Sequence, residues 1–311
     1  MAKQKNLDIN MIAGTGKNGR VTKSDVLNFM EGKTTRSTPA AQAEQTPAAT
    51  SMPSSSSPSR QPQIAQPPLT GVTGEDQVKK IVGMKKAMTK TMTQSLTVPT
   101  FTFSDDMDAT QLLKLRKELK DQVPGGISVL AFFLKALSLA MSEFPQINAV
   151  VDPEVDDEGY IKQYVLKADH NFSVAIDSKE GLTTPNIKKV QAKSILEINN
   201  DLKDLINRSN EGGLLADDFS NGTFAVSSVG NIGGKYFVPT ILRPSAAIIA
   251  IGKAFKVPKY NEGADMMWTP IDCVSYSITA DHRIIDGASV ARFSEKFKMY
   301  VENPSIMLIS V

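Results

Sequence analysis

Ala280-Asp281-His282-Arg283-Ile284-Ile285-Asp286-Gly287 is the stretch on which the reading of this chain turns. The chain holds 2 histidines, and this one stands between acidic and basic neighbours, close to a glycine. By themselves these residues admit two readings. In one, His282 is a general base. A thiol with a pKa of about 8.5 is mostly protonated at neutral pH. An imidazole in hydrogen-bond reach takes that proton during attack, worth about 10²–10⁴ in rate. In the other, His282 is a surface residue beside ion pairs among Asp281, Arg283 and Asp286. Upstream, Val274, Tyr276 and Ile278 alternate with polar residues, which predicts a strand over 273–279. Downstream, Ala291, Phe293, Phe297 and Val301 share one face of a helix expected over 288–301. His282 therefore falls on a strand-to-helix connection, where a scaffold presents side chains. Gly287 is expected to let the chain turn tightly.

Further upstream, helices and strands alternate. Asp108-Ala109-Thr110-Gln111 reads as a capping box opening a helix with Leu112, Leu115 and Leu119 on one face. Ser128 is expected to cap a helix over 129–141 that is apolar all round and hence central. Ser194-Ile195-Leu196-Glu197 is a second capping box, leading into Ile198, Leu202, Leu205 and Ile206. Phe172/Val174/Ile176 and Phe224/Val226 alternate as strands, and 246–251 is a fully apolar run that reads as a buried strand. The order gives an α/β domain with a mixed sheet covered by helices.

The 311 residues, 41% of them hydrophobic, suffice for one substantial core with small extras. A net charge of +2 gives no global basic excess for nucleic acid or a membrane surface. No apolar run reaches the roughly 20 residues of a membrane-spanning helix. Cys273, the single cysteine, excludes an internal disulfide and suits a reducing compartment. With two distant histidines beside it, no metal cage is expected. Residues 34–78, rich in Ser, Thr, Pro, Ala and Gln, read as an extended tether with no core of their own. Residues 1–33 end in a helix opened by Thr22-Lys23-Ser24-Asp25. Gly14, Gly16 and Gly19 ahead of it match a dinucleotide-binding spacing, but no apolar strand leads into them, so that reading is rejected. Met1-Ala2-Lys3-Gln4-Lys5-Asn6 carries no apolar signal region and no Arg/Ser-rich leader.

From about residue 79 onward the chain resembles the dihydrolipoyl acyltransferases, the catalytic cores of 2-oxo acid dehydrogenase complexes. The resemblance rests on the Asp281–Gly287 motif and on Gly222-Thr223-Phe224-Ala225-Val226-Ser227-Ser228, similar to the family's Thr-Phe-x-x-Ser stretch. Lys85-Lys86, Val98-Pro99-Thr100-Phe101 and Phe144-Pro145-Gln146-Ile147-Asn148-Ala149 look like the branched-chain branch; pyruvate-type cores start with an arginine-rich segment instead. Ala13 to Val26 resembles the second half of the family's peripheral subunit-binding domain, here shortened, with the linker at 34–78 and the catalytic domain at 79–311.

The resemblance implies a chloramphenicol-acetyltransferase-like α/β (α+β) fold, assembled as homotrimers that build a 24-subunit cubic core. It implies transfer of an isobutyryl, isovaleryl or 2-methylbutyryl group between dihydrolipoamide and coenzyme A. His282 would be the base, Asp286 its companion, and Ser227 the oxyanion donor from a neighbouring chain. Arg116, Ser128, Asp177 and Ser228 would contact coenzyme A. Arg116 equally reads as an exposed helix charge, Ser128 as a cap, Asp177 as a turn residue and the serines of 227–228 as local hydrogen-bonders. His170 reads as structural. Arg20 would pair with a carboxylate of the decarboxylase or dihydrolipoamide dehydrogenase partner, or is a solvated charge. The lipoyl group would come from a lipoyl domain not expected in this chain. Mitochondrial-matrix localisation follows from the resemblance alone. Competing readings are the acetyltransferase of the pyruvate complex, a non-catalytic scaffold subunit, and a free-standing acetyltransferase.

Overall fold

The computed structural model describes residues 76–152, 154–179, 181–260 and 268–309, together with 15, 21, 22, 25 and 26. Two units separate, Met1–Glu75 and Asp76–Val311. Arg20, the glycine turn and most of the linker lie outside the described residues. In the first unit Asp25 is buried and accepts from the N–H of Thr15 (3.0 Å) and of Thr22 (2.7 Å) and from both threonine hydroxyls (2.7 and 2.9 Å). The Thr22 N–H above all holds this carboxyl well below the usual carboxylate range. Asp25 thus reaches back to a helix start, as Thr22-x-x-Asp25 suggests.

The second unit contains the sheet. Helix α1 (Gly83–Ser95) leads into β1 (Thr100–Asp108), α2 (Thr110–Leu119) and α3 (Val129–Glu143). Hairpins β2 (Ala149–Val151) with β3 (Tyr164–Leu166) and β5 (Ile176–Ser178) with β6 (Gly181–Thr183) stand apart from the main sheet. The remainder is β4 (Phe172–Val174), β7 (Asn186–Ile187), α4 (Ile195–Glu211), β8 (Phe224–Ser228), β9 (Ala247–Tyr260), β10 (Trp268–Asp281) and α5 (Gly287–Glu302). Six strands run in the order β1-β10-β9-β8-β4-β7. The pairs β9/β8 and β8/β4 are parallel and the others antiparallel, so the sheet is mixed as expected.

Alternation of side chains sorts the sheet into two faces. On one lie Phe172, Phe224, Val226, Ile249, Tyr276 and Ile278, packed under α3 and α5. Phe297 of α5 meets Phe133 of α3 edge-on at 6.3 Å and Tyr276 of β10 at 5.5 Å. The expected all-round apolar helix is α3, buried from Ala131 to Ser138. On the other face a small cluster, Val98, Ala225, Ile241 and Ile248, sits beside hydroxyl pairs. Thr102 bonds Thr279 (2.9 Å), Ser104 bonds Ser277 (2.8 Å), and Ser275 donates to Asp106 (2.6 Å).

The Ser128 cap and the Ser194 capping box form as read. The Asp108 capping box does not. Ala109 holds the cap position of α2 with no side-chain cap, and Asp108 instead accepts from the Thr110 N–H at 3.1 Å. Asp108 is still the last residue of β1, paired with Cys273, so its backbone belongs to the strand. Phe172 to Ile176 is likewise two strands of different sheets rather than one. No helix among the described residues is long and apolar enough to cross a membrane.

Candidate functional site

Strand β10 runs on to Asp281, so His282 is the first residue after it. Asp281 is 2% exposed and grips Arg283. Its Oδ1 accepts from the Arg283 N–H (3.1 Å) and Nε (2.9 Å), its Oδ2 from Nη2 (2.6 Å). The Asp281 carbonyl accepts from the N–H groups of Ile284 (3.2 Å) and Ile285 (3.0 Å), closing a tight turn. His282 donates its N–H to Pro99 O at 2.9 Å, and its Nδ1 lies 3.0 Å from Ile285 O. A carbonyl only accepts, so Nδ1 is the donor in this contact and Nε2 is the ring nitrogen left outside it. Phe101 packs against the ring at 5.3 Å, and the imidazole is exposed.

Asp286 does something different from orienting this ring. It caps α5, accepting from Ser289 N–H (2.8 Å) and Ser289 Oγ (3.0 Å), and the Ser289 N–H chiefly holds its carboxyl below the usual range. Of the ion pairs read into the motif, Asp281–Arg283 forms. Gly287 does not adopt a positive φ; a Cβ there would stand 2.8 Å from Phe101 Cζ. The glycine makes room for Phe101 rather than supplying a left-handed turn.

A cavity of about 980 Å³ lies elsewhere on the unit, and Arg116, Ser128, Asp177 and Ser228 all line it. Its wall is the 125–128 turn. Gly125 and Gly126 take positive φ (74° and 67°), open to glycine at little cost. Arg116 Nε donates to Ile127 O (2.8 Å), Lys203 Nζ to Gly125 O (2.9 Å) and Gly126 O (2.8 Å), and the Asn199 amide accepts from Ser128 N–H (2.8 Å). Helices α2 and α4 thereby clamp the turn from both sides. Ser128 Oγ accepts from Leu130 N–H (3.2 Å), which leaves its own O–H free to donate to a ligand. Asp177 lies exposed in β5, not in a turn. Lys120, Lys203 and Asn231 also line the cavity. The reading from sequence missed them; a lysine at Gly125, contributed by a helix far along the chain, leaves no local pattern.

Ser227 and Ser228 end β8 on opposite faces, Ser228 to the cavity and Ser227 to the face of the hydroxyl pairs. Ser227 pairs with Ala250 of β9, and Ala250 with Ser277 of β10. His282 lies five residues beyond Ser277. At about 3.3 Å per residue and 4.8 Å per strand, roughly 19 Å separates Ser227 from His282 within one chain. His170 is 6% exposed, its Nδ1 bonded to Ser138 Oγ at 2.7 Å, and burial pushes its pKa down; it is a packed core residue. No group of three or more His, Cys, Asp or Glu among the described residues could hold a metal ion.

Residues 73–309 match the sequence model of the 2-oxoacid dehydrogenases acyltransferase catalytic domain. The chain belongs to this family. Residues 1–27 of this acyltransferase match the e3 binding domain. The lipoamide acyltransferase component of the mitochondrial branched-chain alpha-keto acid dehydrogenase complex of Mus musculus is 40% identical over 322 residues, covering 100% of this chain and 63% of the relative. The acyltransferase described here therefore spans less than two thirds of that relative. The acetyltransferase component of the pyruvate dehydrogenase complex of Staphylococcus aureus is 30% identical over 314 residues, covering 99% of this chain and 69% of the relative. Among solved structures, a probable dihydrolipoamide acetyltransferase from Listeria monocytogenes gives a TM-score of 0.67 at 31% identity over 73% of this chain and 94% of its own. The dihydrolipoamide acetyltransferase of Azotobacter vinelandii gives 0.69 at 27% identity over 78% and 99%.

Proposed function

We propose that this acyltransferase moves a branched acyl group (isobutyryl, isovaleryl or 2-methylbutyryl) between a dihydrolipoyl thiol and coenzyme A, as the core of a branched-chain 2-oxo acid dehydrogenase complex. The cavity carries this reading. Arg116, Ser128, Asp177 and Ser228, the contact set that the resemblance implies, line one space of about 980 Å³, with Lys120 and Lys203 as further cations for phosphates. Coenzyme A fits such a donor set.

His282 Nε2 takes the proton of the attacking thiol, and the sulfur adds to the thioester carbonyl. Ser227 Oγ–H donates to the oxyanion, an interaction worth about 2.7–4 kcal/mol for comparable donors. The tetrahedral intermediate expels the second thiolate, which recovers the proton from His282. Asp286 supports the base indirectly, by fixing where α5 begins. Because roughly 19 Å separates the two groups in one chain, His282 acts with Ser227 of a neighbouring copy. Homotrimers, joined in a 24-subunit core, supply that arrangement. The subunit-binding segment at 1–33, through Arg20, holds the decarboxylase and dihydrolipoamide dehydrogenase. The lipoyl group arrives on a lipoyl domain, and the setting is the mitochondrial matrix, in keeping with relatives named as mitochondrial. The 40% against 30% identity supports the branched-chain over the pyruvate assignment.

The test is acyl transfer from isobutyryl-, isovaleryl- and acetyl-CoA to dihydrolipoamide, by wild type and His282→Ala. Preference for branched donors, collapsing about 10²–10⁴-fold in the variant, is expected. Undiminished activity in His282→Ala would remove the base. No activity in an assembled wild-type oligomer would favour a scaffold subunit.

A further inference from the structure

We infer that Asp281 and Arg283 are positioning residues for His282, a clamp that holds the imidazole in one tautomer and one direction. The inference rests on the reading of His282 as the base. An exposed ring with only its own χ angles to restrain it samples several rotamers, and a base acts only from the one aimed at its proton. Here the ring is fixed by one polar contact, Nδ1 to Ile285 O at 3.0 Å, so the location of that carbonyl decides where Nε2 points. The carbonyl stands three residues on, beyond a turn that contains no glycine.

Asp281 builds this turn. Its side chain binds the Arg283 N–H and forks onto the guanidinium through Nε and Nη2, and its carbonyl receives the N–H groups of Ile284 and Ile285. Five donors thereby converge on one residue that is 2% exposed. Asp281 is anchored in turn, its N–H donating to Ala246 O at 2.8 Å, next to the buried start of β9. Bidentate charge-assisted pairs fix geometry as well as adding energy, and lysine cannot reproduce the fork. The polar chain runs from the sheet to Asp281, through Arg283 and Ile285, to Nδ1, and leaves Nε2 free. Nothing in it touches the cavity, so loss of the clamp removes orientation of the base and leaves coenzyme A binding alone.

The experiment compares Asp281→Asn and Arg283→Lys with wild type and His282→Ala in the full assembled chain, measuring kcat, KM for both substrates, melting and oligomer size. The expected result for Asp281→Asn is a fall in kcat of about tenfold or more with both KM values within twofold, and a smaller fall for Arg283→Lys. A kcat within twofold of wild type in Asp281→Asn overturns the inference. So does a rise in KM for coenzyme A that tracks the fall in kcat, which would mark general loosening. If Asp281→Asn does not assemble, Arg283→Lys decides, an unchanged kcat again being fatal. Full activity in His282→Ala would instead sink the base reading, and the clamp with it.

Discussion

The cavity is walled by α2, the 125–128 turn, α4, β8 and β9 of a single chain, whereas the His282 turn faces solvent, with its proposed oxyanion donor roughly 19 Å away on another strand. The lining of the first comes from several elements of one chain, while the second holds one imidazole on a single turn. On the proposed mechanism, the difference separates affinity, assigned to one chain, from turnover, assigned to two.

Complementation strikes hardest at this division. His282→Ala and Ser227→Ala are each expected to be nearly inactive, yet co-assembled in equal amounts they should regain about one quarter of wild-type activity. That is the share of interfaces pairing an intact His282 with an intact Ser227 in a ring of head-to-tail contacts. Activity at the level of the separate variants would place both groups in one chain. Ser227→Ala alone should lose about 10²–10³ in kcat while coenzyme A binding stays intact, since Ser227 does not line the cavity. Arg116→Gln should do the converse, weakening coenzyme A about tenfold by titration with little change in kcat at saturation. The smallest effect concerns His170. Burial lowers its pKa in the folded chain, so below about pH 6.5 the unfolded chain binds the proton more readily. Stability is therefore lost as pH falls from 6.5, by at most about 1.4 kcal/mol per pH unit. Melting curves from pH 7.5 to 5 should show a dependence that His170→Phe flattens.

Two helix-start signals read from the sequence bond locally, Ser128 to Leu130 and Ser194 with Glu197, whereas α5 is legible from its apolar stripe alone. Asp108 carries the same residue types but belongs to a strand whose ladder takes precedence. Helix α1 went unread because its exposed Met84 and Met88 give it little amphipathic contrast within one chain. At the proposed site, His282 and the cavity residues stand out only through family resemblance, and their residue types alone leave bland readings open. Ile285 was not legible, because its part is played by a carbonyl that every residue possesses. Asp286 was misleading for the opposite reason: an aspartate four residues from a histidine suggests a partner for the ring, but one residue ahead of a helix it is drawn to the helix N–H groups.

The two margins of the main sheet are unlike each other. One is β7, only two residues long; the other is β1, nine residues long and bearing Asp105, Asp106 and Asp108. A long open margin is a template for adding foreign strands, and carboxylates on it make such addition costly. Lys298 binds Asp105 at 2.7 Å and Ser275 binds Asp106, so these acids are tied to their own fold. Among the described strands, β1 thus combines the longer margin of the main sheet with the charges that disfavour indiscriminate strand pairing there.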